Sequence, residues 1–379
     1  MIARKTVIRW LLLALFVALA AGIAGAWQYA GYLSEPVLRP SNPALAGLST
    51  LPASTPGMKL DPFEVDGWDG VRIPVCIAER NGEESARQVT VTGDLGRDAA
   101  VDPLPGADYV LVAVDWDRGI RSALPLAEAL TAAHFRCVLW DPRGKDGARA
   151  FCTHGLRESR DVPAIINALV RREKGRELVI AAVGRGFGAS LLMQAAAEES
   201  RIRALVAMDV YKTLKEAVWN MLKEELPPYL TWPAFWLLDR KLSAVAGYEC
   251  FDVAPIEAAQ SIGKDAAVLL VNADDDRHVA TEEDALFLRA QLKSSVREVW
   301  VPRRASDGRK EERLSELVIG KNKKGGKSVE SIPVRLYDGE DALNIGIIRW
   351  LREHAVPAAS PGGIPDPVPA GSLNVPSSR

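Results

Sequence analysis

The residues with the clearest chemical potential surround a glycine-rich turn in the middle of the chain. The apolar run at 178–183 predicts a buried strand, and the alanine-rich segment that follows Gly188 predicts a helix. Between them, the residues G-R-G-F-G at 184–188 follow the G-x-S-x-G pattern in every position except the serine. That pattern forms a strained turn that exposes a nucleophilic serine. Gly186 stands at the serine position. The sequence therefore predicts a turn built to present a nucleophile, with no side chain to present.

Further candidate residues follow other predicted strands. Asp209 directly follows the apolar run at 204–208, and Asp276 and His278 follow the run at 267–271. A carboxylate beside an imidazole can act as a general base, so these three residues are candidates for an unorthodox hydrolysis. The alternative is that they are ordinary residues at strand ends. The candidate binding residues lie beside the glycine-rich turn or after a neighbouring strand, and they are Asp115, Trp116, Arg185 and Phe187.

Composition argues against several classes of function. The net charge of −2 at pH 7 gives no electrostatic reason to bind nucleic acid. The four cysteines and four histidines lack the spacing of a metal site, so we expect neither a metal nor another cofactor. In an oxidising compartment Cys152 and Cys250 could form a disulfide, and the alternative is that they are inert thiols.

The first 34 residues are predicted to form a membrane segment. Three basic residues precede an uncharged stretch at 10–34, which is about the length needed to cross a bilayer. Positive charge before the span predicts a cytoplasmic N-terminus and a domain on the extracytoplasmic side, periplasmic or cell-surface. The alternative is a signal peptide cleaved after A-G-A at 24–26, which would give a secreted protein.

The rest of the chain divides by composition into a linker, a folded body and a tail. Residues 35–61 are proline-rich and predict a linker, whereas 355–379 are rich in Pro, Gly and Ser and predict a disordered tail. Within the body at 62–354, an aromatic-rich segment at about 211–250 predicts a helical cap or, alternatively, a helical pair that packs on the body. A basic segment at about 303–331 predicts a solvated loop or, alternatively, a surface for anionic lipid or a partner.

Strands and helices alternate along the body. Short apolar runs predict strands buried on both faces, and therefore a mostly parallel sheet. Amphipathic segments between these runs predict helices on both faces of the sheet, which is an α/β domain. The predicted strands lie at 109–114, 137–140, 178–183, 204–208, 267–271 and 299–301, and a hairpin at Asp69-Gly70 precedes them.

The order of these parts resembles the α/β-hydrolase superfamily over residues 62–354. Four features carry the resemblance: the hairpin at Asp69-Gly70, the D-P-R-G loop at 141–144, the strand-turn-helix at 178–195 and the loop at 271–279. The resemblance implies an α/β-hydrolase fold with a mostly parallel central sheet, helices on both faces and an inserted helical cap.

The resemblance also assigns positions to the family's catalytic residues. Gly186 takes the position of the nucleophilic serine, and Asp276 takes that of the acid. The family's histidine follows the last strand, but no histidine lies near 302–308. Val114-Asp115-Trp116 replaces the His-Gly that helps to form the oxyanion hole. An anionic Asp115 there would repel an oxyanion.

These departures predict a pseudo-hydrolase, held at a membrane, that binds a small molecule, a lipid or a protein. The alternative is an active hydrolase, esterase-like or peptidase-like, with a non-standard site. A second alternative is a dinucleotide-binding protein of Rossmann type, because 184–189 also match G-x-G-x-x-A and Asp209 lies about 20 residues further on. The position of the motif, after two earlier strand-helix units, counts against this second alternative.

Overall fold

The computed structural model describes residues 2–38, 48, 51, 54–55, 57–81, 107–115, 119–143, 151–272, 282–294, 296–303, 319–321, 327–329, 334–338 and 340–355.

A sheet of mostly parallel strands forms the centre of the described residues. The strands are β1 (Ser54–Thr55), β2 (Met58–Asp66), β3 (Arg72–Arg80), β4 (Tyr109–Ala113), β5 (Cys137–Trp140), β6 (Ile180–Arg185), β7 (Ile202–Met208), β8 (Ala267–Val271), β9 (Arg297–Arg303), β10 (Ile319–Lys321), β11 (Lys327–Val329) and β12 (Val334–Asp338). The order in the sheet is β1-β2-β3-β5-β4-β6-β7-β8-β9-β12. Pairs from β1 to β5 are antiparallel, and pairs from β5 to β12 are parallel.

Helices cover both faces of this sheet. The described α-helices are α1 (Ile2–Leu38), α2 (Leu124–Ala132), α3 (Asp161–Arg172), α4 (Phe187–Glu198), α5 (Leu214–Glu225), α6 (Pro228–Ala246), α7 (Pro255–Ala259), α8 (Glu282–Gln291) and α9 (Glu340–His354). The α3, α4, α7 and α8 helices pack on one face, and α2 and α9 pack on the other. In β6, Ile180 and Ala182 join the first layer, whereas Ala181 and Val183 join the second. Burial on both faces accounts for the unbroken apolar runs in the sequence.

The predicted fold class is confirmed. The predicted parallel strands correspond to β4 through β9, and the turn at Asp69-Gly70 joins β2 to β3. The sequence did not predict β12, which pairs in parallel with β9, so β9 is not the last strand of the sheet. Within the basic segment, β10 and β11 pair as a short antiparallel hairpin.

The cap segment forms α5 and α6, which share an apolar cluster separate from the two layers on the sheet. The α5 helix begins where the Thr213 hydroxyl accepts the Glu216 backbone N–H at 3.2 Å, a helix-capping interaction. The α6 helix ends at Gly247, which adopts the left-handed conformation that favours glycine (φ 72°).

The α1 helix is long and apolar enough to cross a membrane between Leu12 and Ser34. It continues to Leu38, where Val37 and Leu38 are buried in the apolar cluster of the cap. The helix therefore reaches into the segment predicted as a linker. Further along that segment, the Leu48 backbone N–H donates to the Asp141 carboxylate at 2.6 Å. The boundaries of the linker and of the tail stay predictions.

Of the two alternatives for Cys152 and Cys250, the structure has the free thiols, because all four cysteines are buried and none forms a disulfide. Cys152 packs in the sheet layer that holds α3 and α4, whereas Cys250 packs in the cap cluster. Burial raises the pKa of the Cys76 thiol to about 11, and it raises the pKa of Cys137 and Cys250 as well. These thiols are therefore protonated at neutral pH and unreactive.

Candidate functional site

The turn between β6 and α4 has the backbone of a sharp strand-to-helix elbow. Gly186 joins the two elements with φ 53° and ψ −116°, a conformation that is costly for a residue with a side chain. Its N–H donates to the Met208 carbonyl at 2.8 Å, and its carbonyl accepts the Ser190 N–H at 3.0 Å. The elbow is thus held by hydrogen bonds to β7 and to the first turn of α4.

The two outer glycines of the motif are required by close packing. A Cβ on Gly184 would lie 2.5 Å from the Gly188 carbonyl oxygen and 2.6 Å from the Ala189 nitrogen. A Cβ on Gly188 would overlap the Ala113 carbonyl group at the end of β4. Because these obstacles are backbone atoms, α4 can approach the sheet this closely only with glycine at both positions. The glycine pattern therefore follows from the contact between α4 and the strands.

Asp115 occupies the space in front of Gly186. A Cβ on Gly186 would overlap the Asp115 carboxyl group, which lies in the loop after β4. Asp115 Oδ1 accepts the Phe187 backbone N–H at 2.9 Å, at the first residue of α4. The N-terminus of a helix carries partial positive charge and attracts anions, so a carboxylate is stable in this position. We call Asp115 and the glycine-rich turn at 184–188 the elbow region.

Arg185 and Asp209, two of the predicted site residues, form an ion pair beside the elbow. Arg185 Nε lies 2.9 Å from Asp209 Oδ2, and both side chains are partly exposed. Asp209 adopts a left-handed backbone (φ 51°), and its N–H donates to the Val271 carbonyl at 2.7 Å. The Asp209 carboxylate is therefore held against a cation in the structure. Three other predicted site residues, Trp116, Asp276 and His278, lie outside the described residues.

Phe187 and His154 pack together behind the elbow. The Phe187 side chain is buried, and its ring meets the His154 ring edge-on with centroids 5.8 Å apart. Phe187 therefore belongs to the apolar core in this structure, although the sequence suggested a binding residue. His154 is buried as well, and burial lowers its pKa to about 4. Its Nε2–H donates to the Val37 carbonyl near the end of α1, at 3.2 Å.

Comparison of this chain with solved structures shows which fold it has. Neither a family model nor a curated protein matches the sequence. An esterase from Pyrococcus furiosus is similar in structure, with a TM-score of 0.50 and 16% identity over 70% of this chain and 87% of the esterase. The chain has the α/β-hydrolase fold. A 2,6-dihydroxy-pseudo-oxynicotine hydrolase is also similar, with a TM-score of 0.49 and 11% identity over 79% of this chain and 68% of the hydrolase.

The α/β-hydrolase fold brings the elbow and the loop after β4 together, because β4 and β6 are parallel neighbours. Ala113 pairs with Gly184, so Asp115 and Gly186, each two residues further on, end at the same edge of the sheet. In hydrolases with this fold, the N–H that follows the nucleophile belongs to the oxyanion hole. Phe187 N–H has the matching position in the chain, and it is hydrogen-bonded to Asp115.

The three histidines that the structure describes all have other partners. His134 lies in the turn before β5, at the opposite end of that strand from the elbow, and contacts Arg80. His354 ends α9 and stacks on Trp350 with ring centroids 4.6 Å apart. His154 is hydrogen-bonded to α1. Within the described residues, therefore, no histidine is placed as a general base for a group at position 186.

The loop after β5 holds a second cluster of charges, which we call the hairpin network. Arg143 donates to both carboxylate oxygens of Asp161, at 2.8 and 2.5 Å, and to both of Asp69, at 2.6 and 3.0 Å. Arg143 and Asp161 are almost fully buried, and the hydrogen bonds from Arg143 lower the pKa of Asp69. The D-P-R-G loop thus ties the β2–β3 hairpin to the start of α3.

The structure does not favour a dinucleotide at the elbow. A pyrophosphate would need the N-terminus of α4, but the Asp115 carboxylate is hydrogen-bonded there and would repel it. Asp209, the candidate ribose ligand, is paired with Arg185. No three His, Cys, Asp or Glu side chains in the described part of the chain come together in a way that would hold a metal ion.

Proposed function

We propose that this chain is a pseudo-hydrolase: an α/β-hydrolase-fold protein, tethered to a membrane by α1, that binds rather than hydrolyses. In this proposal Gly186 stands at the nucleophile position and Asp276 at the acid position. The extracytoplasmic side of the membrane is the proposed location of the domain, because the basic residues precede α1.

The Asp115 carboxylate carries the proposal. It fills the space where a nucleophile at position 186 would project, and it accepts the N–H that would otherwise stabilise an oxyanion. Hydrolysis by an acyl-enzyme route needs a nucleophile, a base and an unoccupied oxyanion hole. A fixed negative charge in that hole disfavours the transition state by repulsion. The elbow therefore supports a retained scaffold rather than an acyl-transfer site.

The activity test uses the full chain in detergent micelles. Short acyl esters, aminoacyl amides and a fluorophosphonate probe are offered, and we expect neither turnover nor labelling. The alternative of a non-standard active site is tested with Asp276→Ala, Asp209→Ala and His278→Ala, using Asp265→Ala, an exposed carboxylate in a turn, as the matched control. Turnover that survives Asp265→Ala and disappears in any of the other three variants would overturn the proposal.

A second experiment tests whether the lost parts act together. The double variant Asp115→Ala/Gly186→Ser provides a hydroxyl and removes the carboxylate, but it does not provide a histidine. We expect this variant to remain unlabelled by the fluorophosphonate. Labelling would mean that a base is present after all, and that the parent chain lacks only the serine and a site free of the Asp115 carboxylate.

The membrane part of the proposal is tested separately. We expect the full chain to stay with membranes after an alkaline carbonate wash, with an intact mass that includes the residues of α1. Release by carbonate would contradict the tether. A mature mass that begins after Ala26 would favour the cleaved and secreted alternative.

A further inference from the structure

One side of the cap helix α6 exposes large aromatic side chains to solvent. Tyr229, Trp232 and Trp236 are 77%, 64% and 49% exposed. Their spacing of three and four residues places them on one face of the helix, opposite the face that packs into the cap cluster. We call these three residues the aromatic face. Contiguous exposed apolar surface of this kind marks an interaction site in soluble proteins.

The α6 helix packs beside the last turns of the apolar span in α1. Lys241 Nζ lies 4.6 Å from the centroid of the Trp27 ring, and Lys241 Cε lies 3.7 Å from the point where a Cβ on Gly31 would be. Trp27 and Gly31 both fall within the span from Leu12 to Ser34. When α1 crosses a bilayer, the Lys241 part of α6 therefore lies near the depth where the end of the span meets the headgroups.

Basic side chains accompany the exposed aromatic rings of this region. The Arg240 guanidinium lies 5.9 Å from the Trp236 ring centroid and 3.9 Å from a Glu249 carboxylate oxygen. Lys215 Nζ lies 4.3 Å from the ring centroid of Phe251, which is also exposed. Tryptophan and tyrosine prefer the headgroup level of a bilayer, and lysine and arginine nearby attract anionic headgroups. The chemistry of the aromatic face and its basic neighbours therefore matches a lipid surface.

We propose that the aromatic face of α6 lies in the headgroup layer of the leaflet from which α1 emerges. The occupant of this face is the lipid bilayer itself, and anionic lipid is preferred. The proposal rests on the membrane tether proposed above, and it adds a second, peripheral contact that lays the cap on the membrane. Lipid is accordingly the class of ligand that the cap would meet first.

The test measures how close single residues of the full chain come to lipid. Cysteine is introduced by Tyr229→Cys or Trp232→Cys, and an environment-sensitive fluorophore is attached in vesicles of phosphatidylcholine with or without phosphatidylglycerol. The native cysteines do not compete for label, because all four are buried. Ile23→Cys in the middle of the α1 span is the positive control. Arg349→Cys, an exposed position on α9 in the sheet layer that also holds α2, is the negative control.

We expect labels at 229 and 232 to be quenched several-fold more strongly than the label at 349 by lipids that carry a shallow spin label. The label at 23 should be quenched most by a deep spin label. Phosphatidylglycerol should increase quenching at 229 and 232. Thermal unfolding that matches the parent shows that each variant is folded, and the two cap positions serve as independent replicates.

The outcomes separate this inference from the tether. Quenching at 23 without quenching at 229 and 232 overturns the lipid contact of α6 and leaves the tether intact. Absence of quenching at 23 overturns the tether itself. Self-quenching between labels at 229 in vesicles, without quenching by lipid, overturns the inference in favour of a second copy of the chain on the aromatic face.

Discussion

The elbow region and the hairpin network both place carboxylates against hydrogen-bond donors after neighbouring strands, but they differ in what the donors are. In the hairpin network, the Arg143 side chain satisfies Asp69 and Asp161 with four hydrogen bonds. In the elbow region, Asp115 accepts the backbone N–H of Phe187 and occupies the space in front of Gly186, which has no side chain. The first arrangement joins two loops, whereas the second fills the space in front of Gly186.

The two regions therefore differ in how much the stability of the fold depends on their side chains. In the hairpin network, each charged side chain is hydrogen-bonded to a side chain of opposite charge. Replacing one of them should therefore lower the free energy of unfolding. The elbow region keeps its shape through backbone hydrogen bonds and glycines, so its side-chain chemistry can change with small effects on stability.

The substitution Arg143→Met should have the largest effect on stability. It leaves the Asp161 carboxylate buried without its partner, and removing one member of a buried ion pair costs about 3–5 kcal/mol. The free energy of unfolding is measured by chemical denaturation of the full chain in micelles. The matched control is Arg72→Met, since Arg72 pairs with Glu64 at the surface of the same hairpin. Equal losses in both variants would show that the buried pair contributes no more to stability than an exposed pair of the same hairpin.

The buried His154 should make stability depend on pH. Its native pKa of about 4 lies below the value of 6.5 for an unfolded histidine, so below pH 6.5 the unfolded chain binds a proton that the native chain does not. This contribution is fully present above pH 6.5 and is lost as pH falls to about 4. The loss should be about 3 kcal/mol.

The measurement compares the pH dependence of unfolding in the parent and in His154→Asn. Asparagine is chosen because position 154 is left-handed (φ 52°), a conformation that it tolerates. His134→Asn, at another left-handed position (φ 69°), controls for the backbone cost of the replacement at neutral pH. A parent and a His154→Asn variant with parallel pH profiles would show that His154 is not the buried neutral group described here.

The substitution Gly186→Ser should cost about 1–3 kcal/mol. The new side chain strains a left-handed backbone, and it forces Asp115 to give up its hydrogen bond to Phe187. In an Asp115→Ala background only the backbone strain remains, so the second cost should be smaller than the first. A double-mutant cycle on the free energy of unfolding measures this coupling. Strict additivity would mean that the two positions do not compete for one space.

Asp115→Ala should have the smallest effect, a loss of about 1 kcal/mol, because one hydrogen bond at the start of α4 disappears. Added phosphate should then raise the melting temperature of the variant more than that of the parent, since the helix N-terminus is open to an external anion. Asp115→Asn keeps an acceptor without the charge and should lie between the two. An equal response to phosphate in all three proteins would contradict the account of the elbow.

The sequence predicted the sheet well because strands such as β6 and β8 are buried on both faces and read as unbroken apolar runs. It did not predict β12, whose sequence V-R-L-Y-D is mixed in polarity and follows a long basic segment. The elbow turn was predictable because three glycines follow a strand. The exact position of Asp115 was not, because it depends on the register between β4 and β6, which pairs Ala113 with Gly184.

The sequence also did not predict the hairpin network or the contact between His154 and α1. Arg143 meets Asp69 and Asp161, which are distant in the chain, and only the assembled loops bring them together. His154 meets α1 across more than a hundred residues. The sequence placed Phe187 at a binding surface because it adjoins the elbow, but its direction into the core is set by how α4 packs.

The end of α1 has a mechanical consequence. The Val37 carbonyl is held by His154 Nε2–H and the Leu38 carbonyl by the Cys152 N–H, each at 3.2 Å. A helix fixed at its last turn in this way cannot change its direction independently of the domain that holds it. Helices that span a bilayer tilt when its thickness changes. If α1 crosses a bilayer as proposed, such a tilt would rotate the whole domain, so lipid composition would set the angle at which the elbow faces its surroundings.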